Sequence, residues 1–136
     1  MKQYELIEHT ADVGVKAYGS TLSEAFTHAA EGMFDIITDE STIELIGAYD
    51  IELEAPDLEQ LLVDWLSQLL FLNGAFNLVF GKFEVVLSGI RLSARVFGET
   101  YDKKIHRMGV EIKAVTYHML EVHDQDPIFV QVLFDI

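Results

Sequence analysis

The sequence contains no cysteine and few basic side chains, and both shortages exclude kinds of site. Without cysteine the chain cannot form disulfides, thiolate zinc sites or a cysteine nucleophile. Its 9 Lys and Arg residues stand against 23 Asp and Glu residues, which gives a formal net charge of -14. Nucleic-acid binders use Lys and Arg to replace the counterions of the phosphates, so direct nucleic-acid binding is not expected. An acidic protein suits cations and basic protein surfaces, with solubility alone as the alternative explanation.

Long apolar runs are missing as well. No apolar segment approaches the ~18 residues of a transmembrane helix, and the start of the sequence lacks the apolar run of a signal peptide. A cytoplasmic protein without membrane contact is therefore expected. The 136 residues are half hydrophobic, enough for the core of one domain of ordinary size. Because no linker or repeat divides the sequence, we expect a single domain over residues 1–136.

Two segments have the periodicity of amphipathic helices. The first begins at Thr21, which has capping-box spacing to Glu24, and its apolar residues recur every three or four positions as far as Ile37. The second begins after Asp57 as the N-cap, and Asn73-Gly74 predicts its end. Packing explains both apolar faces better than a cofactor role does.

Strand patterns fill most of the remaining sequence, which is rich in Val, Ile, Phe and Leu. One-faced helices combined with alternating strands predict an α+β fold, in which two amphipathic helices pack on a two-layer, largely antiparallel β-sheet. Residues 112–120 are also compatible with a helical turn. The predicted strands cover 4–8, 13–18, 43–46, 49–55, 78–88, 90–97, 110–123 and 128–135.

The first candidate site is the segment Glu8-His9-Thr10-Ala11-Asp12 between the first two predicted strands. It places an imidazole, a hydroxyl and two carboxylates in a loop, where functional residues tend to lie. Asp12 is a candidate metal ligand. The alternative is a turn aspartate that caps its own backbone.

The second candidate site is the end of the sequence, where Asp135 and Ile136 follow an apolar strand directly. The Asp135 carboxylate and the α-carboxylate of Ile136 would be two anionic oxygen groups side by side. Such groups suit a hard cation such as Ca2+ or Mg2+. The alternative is that the strand simply stops there.

Two further groups of residues are candidates. Lys113 lies in an apolar, β-prone run, where it could contact a phosphate, a carboxylate or a partner, unless it is an ordinary outward-facing strand residue. Glu99 and His106 lie near Gly98, which suits a bulge or turn. The sequence has no phosphate-binding glycine loop, no G-x-S-x-G, no H-E-x-x-H and no zinc spacing among its histidines. A self-sufficient catalyst is therefore not expected.

These strings together resemble the archease family. The resemblance rests on E-H-T-A-D at 8–12, T-L-S-E-A-F at 21–26, E-I-K-A-V-T-Y-H at 111–118 and F-D-I at 134–136. Two further segments support the resemblance. They are Gly98-Glu99 and, in the second predicted helix, the leucines at 58, 61, 62 and 66 around Trp65. The strings occur in the family's order and extend from about residue 4 to residue 136.

The resemblance implies a non-enzymatic protein cofactor of RtcB-type RNA ligases. Such a cofactor promotes the GTP-dependent guanylylation of the ligase and supports multiple turnover in tRNA splicing and RNA repair. Asp12, Asp135 and Ile136 match the family's metal-binding positions, and the expected ion is Ca2+, with Mg2+ or Mn2+ as alternatives. Lys113 matches a functionally sensitive lysine. Contacts to the partner or nucleotide are expected from Lys113, His9, Glu99 and His106.

Two other functions remain open at this point. The first is a chaperone-like modulator of a tRNA-modifying enzyme such as a tRNA methyltransferase, which would need no metal. The second is a small metal-dependent hydrolase, which would need a water-activating base beside the ion.

Overall fold

The described part of the chain forms two helices and two antiparallel sheets. The computed structural model describes residues 3–9 and 12–136, with every side chain in those ranges except those of Glu8 and His9. Within them, neither helix combines the length and apolarity that a membrane span requires. The elements in chain order are β1 (Tyr4–His9), β2 (Asp12–Tyr18), α1 (Leu22–Thr38), β3 (Gly47–Glu54), α2 (Leu58–Phe76), β4 (Leu78–Ser88), β5 (Arg91–Thr100), β6 (Ala114–Val115), β7 (Glu121–His123) and β8 (Phe129–Asp135).

The strands divide between a five-stranded and a three-stranded sheet. The first has the order β1-β2-β8-β6, with β7 also paired to β8, and the second has the order β3-β5-β4. The strand pairs are antiparallel. Helix α1 contacts β2 and β8 of the first sheet and β4 of the second. The predicted α+β fold with helices on antiparallel strands is confirmed.

The core forms where the helices meet the inner faces of the sheets. Thr21 caps α1, because its side chain accepts the backbone N–H of Glu24. On the apolar face of α1, Phe26 and Met33 are completely buried. Trp65 of α2 is also fully buried, and its Nε1 donates to the Phe26 carbonyl at 3.1 Å. The apolar faces read from the sequence are therefore core faces.

Helix α2 is longer than predicted. It continues through Asn73-Gly74 to Phe76, and Asn77 provides the left-handed C-cap with φ 56°. Asn73 does not end the helix, because its side-chain amide donates to the Leu78 carbonyl at 2.9 Å while its backbone stays helical. The extension adds a last turn that ends on an aromatic residue.

Two predicted strands are wrong. Residues 43–46 are not a strand, since the N–H of Glu44 donates to the Glu99 carboxylate and β3 begins only at Gly47. Residues 110–123 form only the short β6 and β7. The N–H groups of Gly109 and Val110 donate to carbonyls at the end of α1, and Met119 has a φ of 57° that interrupts any strand.

Candidate functional site

Asp12 and Asp135 lie directly opposite each other across β2 and β8. Residues paired in this way in antiparallel strands have Cα atoms roughly 4.5–5.5 Å apart and side chains on the same face. The neighbouring pair, Val13 with Phe134, faces the core. Because side chains alternate along a strand, the two aspartates face outward. The structure therefore brings these two candidate residues together at one end of the sheet.

The core fixes this register. Val15 pairs with Val132 and Ala17 with Val130, and all four side chains are fully buried. A slip of one residue would turn these apolar side chains outward and the aspartates inward, at a high cost in free energy. The apolar alternation of β2 and β8 thus places the carboxylates opposite each other.

The next pair on the outer face, Gly14 with Leu133, closes the strands beside the aspartates. A Cβ at Gly14 would lie 2.4 Å from the Val132 carbonyl oxygen and 2.5 Å from Cδ2 of Leu133. The Leu133 side chain therefore covers the glycine, and it is fully buried although it is on the outer face. Sequence reasoning attached no role to Gly14. A glycine inside an alternating strand is the signal that indicates such a close approach.

Lys113 lies at the same end of the sheet, directly before β6. Its backbone N–H donates to the Asp135 carbonyl at 2.8 Å, and the next residue, Ala114, pairs with Asp135. Strand alternation turns the Lys113 side chain to the face opposite Asp135. There it lines a cavity of about 520 Å³ together with Phe71 and Asn73 of α2. The lysine and the aspartates thus share one sheet end but occupy its two faces.

The donor atoms at this end of the sheet suit a hard cation, although only two side chains supply them. Among the described residues, no three His, Asp or Glu side chains form a group that could hold a metal ion. Asp12 and Asp135 supply two carboxylates, and the exposed Ile136 adds main-chain oxygens next to Asp135. Carboxylate and main-chain oxygens are the ligands that Ca2+ prefers. The chemistry of the donor set fits the expected ion.

His9 lies opposite Asp12 in the backbone pairing of β1 and β2. Its side chain is outside the described part of the structure, as are residues 10 and 11. The predicted partner contact of His9 therefore stays a prediction.

Glu99 and His106 form a buried pair in another part of the molecule. The Glu99 carboxylate accepts from Nε2 of His106 at 2.9 Å and from the N–H of Glu44 at 2.7 Å. Nδ1 of His106 accepts the N–H of Asp102, which assigns the imidazole proton to Nε2. The His106 side chain is 0% exposed and that of Glu99 is 9% exposed. These contacts hold the loop that contains Glu44 and the loop 102–106 against the end of β5. The predicted contact of Glu99 and His106 with a partner stays a prediction.

The Glu99 carboxylate makes stability depend on pH. The hydrogen bond from the Glu44 N–H lowers the pKa of Glu99 below its ordinary value, and the hydrogen bond from His106 lowers it further. Burial of the carboxylate raises this pKa and offsets part of the shift. A lowered pKa in the folded state means that this contribution is complete above the unfolded value of about 4.3 and is lost as pH falls through the folded pKa. We expect Glu99→Gln to lower the free energy of unfolding at pH 7 and to lower it less at pH 3, measured by urea denaturation. Equal losses at both pH values, or the same pattern in the exposed control Glu121→Gln, would contradict this assignment.

Comparison with known proteins agrees with the motifs and the fold. The sequence matches the archease protein family over residues 4–136. Proteins named archease from Methanosarcina barkeri and Pyrococcus furiosus are 46% and 41% identical, covering 89% and 90% of this chain and 86% and 89% of their own length. The solution structure of Methanobacterium thermoautotrophicum protein 1598 is 36% identical, with a TM-score of 0.84 over 100% of both chains. A Thermotoga maritima crystal structure, described as an archease and possible chaperone, shares the fold with a TM-score of 0.61 at 23% identity, over 97% of this chain and 96% of that one. The chain therefore belongs to the archease family.

Proposed function

We propose that this archease is a protein cofactor that activates an RtcB-type RNA ligase and has no turnover of its own. The family resemblance implies that the activation is GTP-dependent guanylylation of the ligase's active-site histidine, which supports multiple turnover in tRNA splicing and RNA repair. The observation that carries the proposal is the pairing of Asp12 with Asp135 on the outer face of the sheet. This pairing presents two carboxylates to a partner.

A bound cation explains why two carboxylates are placed side by side. Like charges directly opposite each other in a sheet are destabilising, and a divalent ion between them removes the repulsion. Asp12, Asp135 and the main-chain oxygens of Ile136 would hold Ca2+, with Mg2+ or Mn2+ as alternatives. When bound, the ion would supply a positive charge that can bind a phosphate or carboxylate of the ligase complex. The Lys113 ammonium adds a second positive charge at the same sheet end.

The overall charge favours action through a protein. A formal charge of -14 repels the phosphate backbone of free RNA and attracts the basic surface of an RNA-binding enzyme. The rate of encounter with such a surface should fall as salt is added. We expect the complex to work in the cytoplasm.

The test is a guanylylation assay with an RtcB-type ligase from the same organism. Ligase, GTP and divalent metal are mixed with and without this protein, and the covalent guanylylated ligase is followed in a single turnover with radiolabelled GTP. The proposal requires a faster single turnover and more than one ligation per ligase molecule when the protein is present. An unchanged rate with the matched ligase would refute it.

A chaperone-like role toward a tRNA-modifying enzyme is the second candidate. The observation that favours it is the shared fold with the Thermotoga maritima protein, which is described as a possible chaperone. Co-purification separates the two proposals. Capture of a tRNA methyltransferase without any ligase, and with a changed oligomeric state of that enzyme, would favour the chaperone-like role.

A further inference from the structure

Two aromatic side chains are exposed at the C-terminal end of α2. Phe71 is 57% exposed and Phe76 is 59% exposed. Their rings meet edge to face with centroids 6.0 Å apart. A lone exposed apolar residue is ordinary on a protein surface, but a contacting aromatic pair needs further explanation.

The aromatic pair belongs to a larger apolar surface. Phe76 lines a cavity of about 470 Å³ with Tyr49, and Tyr49 lines the adjoining cavity of about 680 Å³ with Ile46 and Ile105. Ile46 is 75% exposed and Ile105 is 64% exposed. Contiguous exposed apolar side chains mark interaction sites more often than isolated ones do. We name this the α2-end surface, formed by Ile46, Tyr49, Phe71, Phe76 and Ile105.

The α2-end surface continues to the candidate site. Phe71 also lines the cavity that contains Lys113. The backbone N–H of Lys113 donates to the carbonyl of Asp135, one of the two paired aspartates. A partner that contacts Lys113 can therefore also reach the aromatic pair, while the aspartate pair lies on the other face of the same sheet end.

Charge complementarity indicates which partner surface would fit. The C-terminal end of a helix carries a partial negative charge, and the last turn of α2 has no Lys, Arg or His to offset it. The protein as a whole has a formal charge of -14. The complementary surface is apolar at its centre, to fill the cavities beside the rings, and basic at its rim.

We propose that the α2-end surface is where this archease docks on the RtcB-type ligase, and that it receives an apolar side chain of the ligase flanked by Lys or Arg residues. This inference rests on the proposed function and assigns a separate task to a separate surface. The α2-end surface supplies affinity, and the aspartate pair supplies activation. Changes at the aromatic pair should therefore weaken binding without changing the rate of the fully bound complex.

The test compares full-length variants in binding and in guanylylation. In the double variant Phe71→Gln, Phe76→Gln, the Kd for the ligase, measured by isothermal titration calorimetry, should rise at least about tenfold, because buried aromatic anchors dominate interfaces. At saturating concentration the double variant should still give the wild-type guanylylation rate. The matched control Val86→Gln changes a side chain that is 64% exposed on β4, and it should bind like wild type. Ile105→Gln, which lies in a loop outside α2, should also weaken binding and guards against an effect on the helix alone.

The outcomes separate the two proposals. If the wild-type protein neither binds nor stimulates the ligase, the proposed function fails and this inference fails with it. If wild type binds and the double variant and Ile105→Gln bind equally well, only the docking inference is overturned. If sedimentation shows that the double variant loses self-association while it binds the ligase normally, the surface belongs to a second copy of the chain, and the docking inference is likewise overturned.

Discussion

Asp135→Asn is expected to abolish the stimulation of the ligase while the protein stays folded. The substitution keeps the shape of the side chain and removes one of the two charges that face each other across β2 and β8. The backbone bond from Lys113 to the Asp135 carbonyl is unaffected, so the sheet end should keep its geometry. What changes is the charge of the proposed ligand set, and ligand charge governs the affinity for Ca2+.

The measurement has three readouts. Calcium affinity, from equilibrium dialysis, should fall by at least about tenfold, and single-turnover guanylylation should return to the rate of the ligase alone. In chelator the variant should unfold at a higher temperature than wild type, because like charges directly opposite each other in a sheet are destabilising. The control Asp124→Asn removes an exposed aspartate from the turn before β8 and should behave as wild type in all three. Wild-type calcium affinity together with wild-type stimulation in Asp135→Asn would refute the ion site.

Gly14→Ala is expected to damage both stability and the ion site. The added methyl would lie 2.4 Å from the Val132 carbonyl oxygen and 2.5 Å from Leu133 Cδ2, so β2 and β8 would have to separate. Overpacking of this kind costs about 1–3 kcal/mol. Because the glycine lies two residues from Asp12 on the same face, the separation would also move the paired carboxylates apart.

Urea denaturation and calcium binding measure the two effects on the same samples. We expect a lower free energy of unfolding and a weaker calcium affinity. The matched control is Gly74→Ala in α2, where a Cβ would meet nothing within 4 Å. An alanine at this helical position should stabilise the protein by about 0.5–1 kcal/mol. Gly14→Ala with unchanged stability would show that the strands do not close over this residue.

The helices could be predicted from the sequence because their signals are local. The caps at Thr21 and Asp57 and the apolar spacing that follows them depend only on neighbouring residues. The sequence predicts the end of α2 too early, because Asn and Gly usually stop a helix, whereas the Asn73 side chain here donates to the Leu78 carbonyl from inside the helix. The aromatic end of α2 is exposed as a consequence of that longer helix.

The segment 110–123 shows where local signals fail. Its composition is that of a strand, but its first residues bond to the end of α1 instead of a neighbouring strand. The pairing of Asp12 with Asp135 is equally non-local, since nothing near either residue indicates the other. The family resemblance grouped the two aspartates, and the β2–β8 register then showed how they meet. The position of Gly14 beneath Leu133 follows only from that register.

The central position of β8 has a consequence for folding. This strand pairs with β2, β6 and β7, so it joins the first part of the chain to the last across more than a hundred residues of sequence. Closing a loop of that length costs conformational entropy before the contacts between the strands form, so we expect this pairing to be a late step in folding. The proposed ion would bind Asp12 and Asp135 only after the loop has closed. It would stabilise the folded chain by RT ln(1 + c/Kd), where c is the ion concentration, so the effect rises with the logarithm of c well above Kd. Bound calcium would then stabilise the pairing of β2 with β8 and with it the whole fold. Its release would destabilise β8, the strand that also carries Asp135 of the candidate site.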